Sequence, residues 1–141
     1  MTRPDSIIRF EQLYLLSFAI GLLATALGWR MMQYMVDMSP PLAALPALLP
    51  AVTVVRAVLI LLLWWLVARR GSIIAKWIVV VVAAFVALNL LGALYGIALG
   101  RLGPLTGVTT AVAGALFLWA TAMLFRPDAA AWFDRRAEPS A

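Results

Sequence analysis

Arg56 is the residue whose position most demands a chemical account. It stands inside an apolar run, and the next charge along the chain is Arg69. An ionised side chain within a membrane span marks a functional site by default. A guanidinium there can bind a carboxylate or phosphate, or it can snorkel to the headgroups along its own methylene stem. Asp37, the nearest preceding carboxylate, is its natural partner. Arg30 and Arg101 are expected on the same side, so Arg30, Asp37, Arg56 and Arg101 would form a net basic mouth able to attract an anionic lipid or solute.

The methionines are a second candidate. Four of the six lie in MMQYMVDM, and Met31, Met35 and Met38 share one helical face. Thioethers are soft ligands that can select Cu(I), whereas the structural alternative is that Met fills an irregular gap beside a Pro-rich segment. Glu11 is a third. In size and helix count the chain resembles the small multidrug resistance exporters, which couple protons to substrate through a membrane-embedded Glu in the first helix. Here Glu11 lies at the edge of its span with Arg9 two residues away, and a paired or solvated interfacial carboxylate is the expectation.

Enzyme chemistry finds no support. The chain has no His and no Cys, which removes the commonest general base, the thiol nucleophile and the usual soft metal ligands. No nucleophile sits beside a base, no two carboxylates converge, and no Gly-rich phosphate loop follows a strand. Catalytic, cofactor and metal sites are therefore all expected to be absent. Lys and Arg number 11 against 6 acids, a net charge of +5. The basic residues sit at the ends of apolar runs, which reads as membrane topology rather than nucleic-acid binding.

The elements that would position these residues follow from hydropathy. Of 141 residues 65% are apolar and 12% charged, about half the charged share usual in soluble domains. A bilayer is the solvent that accommodates such a chain. The expected fold is an all-α, four-helix transmembrane bundle forming one domain over 1–141, with spans at about 12–36, 51–68, 73–99 and 105–125. Asp5 and Glu11 argue against reading the first span as a cleaved signal peptide. The segment SPPLAALPALLP cannot be helical throughout, yet it is apolar, so a loop along the membrane interface is expected between the first two spans. The second span ends in Trp64 and Trp65 followed by Arg69 and Arg70, an aromatic belt with a basic anchor. Arg70-Gly71-Ser72 reads as a tight turn. The tail, 127–141, contains Trp132 and Phe133 and is expected to rest on the headgroups as a short amphipathic turn.

The third span carries a packing signature. At about 100° per residue, Asn89, Gly92, Gly96 and Gly100 fall within a stripe roughly 80° wide. Such small-xxx-small repeats let another helix approach closely in lipid, and an intramembrane amide can hydrogen-bond across the contact. Gly107 and Gly114, with Ala111 and Ala115, give the fourth span a small face ready to meet the third. The stripe is expected to pack on that helix, on a second membrane protein or on another copy of the chain. Arg3, Arg9, Arg69, Arg70, Lys76, Arg126, Arg135 and Arg136 fall on one side of the bundle, and Arg30, Arg56 and Arg101 on the other. That bias favours both termini in the cytoplasm. Ten of the eleven basic residues are Arg and Ala is abundant, which suggests a GC-rich bacterial source and hence the inner membrane. The function expected is a non-catalytic accessory or assembly subunit, with a small transporter or a lipid- or anion-binding protein as the alternative.

Overall fold

A computed structural model describes residues 4–101 and 103–137, the side chains of 135–137 excepted. Arg3 therefore lies outside the described residues, as do the side chains of Arg135 and Arg136 and the last part of the tail. Seven helices follow in order: α1 Asp5–Leu27, α2 Trp29–Asp37, α3 Pro40–Ala43, α4 Leu48–Ala68, α5 Ile73–Ala98, α6 Pro104–Met123 and α7 Pro127–Ala137. No strand occurs among the described residues. α1, α4, α5 and α6 are long and apolar enough to cross a membrane, so the chain is a multi-pass membrane protein. α1 packs most extensively on α6, α5 lies on α6, and α4 touches both α1 and α5. The spans thus follow the cyclic order α1, α6, α5, α4. Both described chain ends fall at one end of the bundle, called proximal below; α2, α3 and the α5–α6 turn form the distal end.

The helix ends have local causes. Ser72 precedes α5 in an extended conformation, and its hydroxyl accepts from the Ala75 N–H at 3.3 Å, satisfying a donor that the first helical turn leaves free. Gly71 has φ +61°, which makes the α4–α5 turn as tight as its sequence predicts. At the other end of α5, Gly100 takes φ +65°. Its N–H donates to the Ile97 carbonyl, and the Arg101 N–H reaches back to the Gly96 carbonyl at 2.9 Å. That pair of bonds is a Schellman stop. Pro104 opens α6 in the first turn, where its missing N–H costs nothing.

α1 is capped from far away. Pro4, its N-cap, has no side-chain acceptor to offer. The Asp128 carboxylate of α7 takes that place, and the Ser6 N–H donates to its Oδ2 at 3.1 Å. Hydrogen bonding from Ser6 holds the Asp128 carboxyl below its ordinary value, against a smaller opposing effect of desolvation. The positive end of the α1 dipole favours the same charge.

Most of the core sits at the proximal end. Ile7 and Phe10 of α1, Val67 and Ala68 of α4, Ala75 and Val79 of α5, Ala120 of α6 and Leu124 just beyond it are buried there together with Ala129, Trp132 and Phe133 of α7. Three expectations need correction. The tail is not a short turn: α7 is an eleven-residue helix that buries Trp132 and Phe133 in the bundle. The first span does not run to 36 unbroken. It is interrupted at Gly28, where a Cβ would stand 3.3 Å from the Ala24 carbonyl oxygen and 3.6 Å from Thr106 of α6. The Pro-rich segment is more helical than expected, because Pro40 and Pro41 open the short α3, and α4 begins at Leu48 with Pro50 still in its first turn.

Candidate functional site

Polar groups on α1 set the floor of the site. The Tyr14 hydroxyl donates to the Ile60 carbonyl of α4 at 3.0 Å, and the Ser17 hydroxyl donates to the Ala113 carbonyl of α6 at 2.8 Å. Both acceptors are backbone carbonyls of other spans, so each bond joins two helices where water is absent. Phe10, Tyr14 and Phe117 stack around them with ring centroids 5.2 Å apart in each pair. Sequence reasoning passed over Tyr14 and Ser17. Their signal was present: hydroxyls three residues apart on one face of an otherwise apolar helix.

Distal to this floor neither α1 nor α4 buries a residue. The buried residues of α1 end at Ser17, and those of α4 are only Val67 and Ala68. Gly21 lies two turns beyond Tyr14 on the same face of α1, and a Cβ there would meet no atom within 4 Å. On α4, Arg56 is one turn distal to Ile60 and on nearly the same face, yet it is exposed. The face of α4 that Tyr14 bridges at Ile60 is therefore uncovered at Arg56. Along the helix axis Arg56 lies roughly 12 Å from Leu48.

At the distal end is an open cavity of about 310 Å³. Trp29, Gln33, Val36 and Asp37 of α2 form one wall. Residues spaced by four on a helix share a face, which aligns Trp29, Gln33 and Asp37. Ala43, Leu45 and Pro46 of the Pro-rich segment, with Leu49 and Pro50 of α4, close the remainder.

The sequence-derived candidates are distributed as follows. Asp37 lines the cavity, Arg56 lies below it, and Arg30 and Arg101 are exposed at the distal end. No ion pair joins Asp37 to Arg56 among the described residues. Met31, Met35 and Met38 are all exposed and lie on the face of α2 opposite the cavity. Glu11 pairs with Arg69, its Oε1 3.5 Å from a guanidinium nitrogen, so the end of α4 is tied to α1 at the proximal edge. Arg69 and Arg70 also lie over Trp64 and Trp65, at 5.8 and 4.6 Å from the ring centroids.

The chain matches no family model, no curated protein and no solved structure.

The glycine stripe turns away from the bundle. Asn89 is exposed and its Nδ2 donates to the Phe85 carbonyl of its own helix at 2.9 Å. Gly92 and Gly100 have open space where a Cβ would be, and Gly96 is half-buried. α6 instead meets the large side chains of α5. At Gly114 a Cβ would stand 3.6 Å from Val86 and Leu90, and Gly107 is also buried in α6. The small face of the fourth span does receive the third, but through the α5 face that bears Val86 and Leu90.

Proposed function

We propose that this chain is a non-catalytic subunit of a bacterial inner-membrane assembly, with both termini cytoplasmic, and that it packs through the α5 stripe on a second polypeptide. The observation that carries this reading is Gly92. It lies in an apolar span beside an exposed amide, Asn89, and no described residue of this chain fills the space at its Cα. Bare backbone in lipid gains from close helix contact, which only small residues permit. The partner is a different membrane protein or another copy of the chain.

The test is Gly92→Leu, with native mass spectrometry of protein extracted gently from its own membrane. The open space at Gly92 means the variant should keep the monomer fold while losing a stoichiometric partner. An unchanged partner content would remove the stripe from the account. A second reading, a lipid- or anion-binding protein, is favoured by one observation: Arg56 lies on an uncovered face of α4 directly below the distal cavity.

A further inference from the structure

The cavity wall contains a carboxylate and an indole but no cation. Asp37 and Gln33 supply oxygen acceptors, Trp29 supplies an aromatic surface, and Leu45, Pro46 and Leu49 supply apolar contact. A carboxylate and an aromatic face in an apolar recess suit an organic ammonium, which gains from both charge and ring quadrupole. A free phosphate or an anionic headgroup would meet the Asp37 charge unfavourably.

Deeper in, the sign reverses. Leu49, Thr53, Arg56 and Ile60 fall within an arc of about 60° on α4, so one line runs from the cavity wall to the floor at Ile60. Side chains on a helix lean toward its N-terminus, and the N-terminus of α4 is its distal end. An Arg56 side chain with this lean extends toward the cavity, where its planar fork suits a phosphate. On α1, two turns distal to Tyr14, a Cβ at Gly21 would meet no atom within 4 Å, so this apolar helix surface is open to lipid chains.

From the distal surface inward the order is thus an ammonium site, a phosphate site and an uncovered apolar helix surface. A zwitterionic phospholipid presents its groups in that order when it enters from the leaflet at this end. We propose that the distal cavity and the uncovered α1 and α4 surfaces below it bind one phosphoethanolamine or phosphocholine lipid, with the ammonium at Asp37 and Trp29 and the phosphate at Arg56. This deepens the lipid-binding reading by naming the ligand. It does not depend on the α5 stripe, which lies on another helix.

The test is native mass spectrometry of the purified full chain in detergent, titrated in turn with phosphatidylethanolamine, phosphatidylglycerol of the same acyl chains, and choline chloride. Wild-type protein should retain one phosphatidylethanolamine, about tenfold more tightly than phosphatidylglycerol, the difference expected for one charge-assisted contact. Asp37→Asn should abolish that preference, and Arg56→Gln should weaken both lipids. Gly21→Leu, which fills open space, should reduce retention of either lipid while thermal unfolding stays unchanged. Equal retention of the two lipids by the wild type, or an unaltered preference in Asp37→Asn, overturns the proposal. Choline chloride displacing the lipid at comparable concentration also overturns it, in favour of a site for a free organic cation. Loss of partner in Gly92→Leu with lipid preference intact would separate the two proposals cleanly.

Discussion

The two ends of this bundle are built from similar residues and are packed very differently. At the proximal end, residues of α1, α4, α5, α6 and α7 are buried against one another, and Phe117 is 7% exposed. Toward the distal end Arg56 of α4 is exposed and Gly21 of α1 has open space where a Cβ would be, and on α5 Tyr95 is 66% exposed. Apolarity does not distinguish these ends, because lipid is as apolar as Leu and gives helices no hydrophobic reason to associate. What distinguishes them is specific joining. The proximal end has the Asp128 cap on α1, the Glu11–Arg69 pair and Lys76 set over the Phe125 and Phe133 rings. The Tyr14–Ile60 and Ser17–Ala113 bonds mark where this joining stops. A membrane helix bundle is closed where polar groups and ring contacts fasten it, and elsewhere its surfaces stay available to lipid or to another chain.

The largest expected effect is a direct attempt to break this contrast. Phe117→Ala removes a ring from the stack around Tyr14 and should cost about 3 kcal/mol of stability. Tyr95→Ala, on an exposed surface at the distal end of α5, should change stability by no more than about 0.5 kcal/mol. Denaturant titration of both variants in mixed micelles measures the difference; equal losses would mean that the distal half is as tightly packed as the proximal half.

A smaller effect sharpens the contrast by locating what ties α7 down. The Asp128 carboxyl is held below its ordinary value of 3.8 in the folded chain. A depressed carboxyl contributes stability above its unfolded value and loses it as pH falls through the folded one. Acidification below about pH 4 should therefore loosen α7, seen as faster amide exchange over Ala129 to Phe133. Asp128→Asn should remove that pH dependence, and a retained dependence would assign it to another group.

The sequence foretold the number of spans well. Each span is a long apolar run bounded by Arg, Pro or Gly, and a backbone that must satisfy itself in lipid leaves helix as the only choice. Which faces meet was less legible. Asn89 and the glycines announced a close contact, but close contact is a capacity, and within this chain Val86 and Leu90 take the meeting with Gly114 instead. Gly100 reads as a packing residue by spacing and serves as a helix stop by conformation, a difference only φ reveals. The burial of Trp132 and Phe133 was not legible, because such residues suit a headgroup layer as well as a core, and the Ser6–Asp128 bond that helps dock α7 spans nearly the whole sequence. At the candidate site, Arg56 and Asp37 stood out as charges out of place. Trp29, Gln33 and Gly21 did not, since their role depends on how α2 folds back toward α4.

The most direct test of an open distal half is a pair of distance measurements between α1 and α4. The chain has no Cys, so spin labels can be placed at will on exposed positions. Gln12 with Leu62 lies two residues to the proximal side of the Tyr14–Ile60 bond on each helix, and Leu22 with Val52 lies eight residues to its distal side on each. Double electron–electron resonance in lipid nanodiscs should give a longer and broader distribution for the distal pair. Two distributions of equal mean and width would contradict the account, because α1 and α4 would then be in contact along their whole length, with no cleft between them.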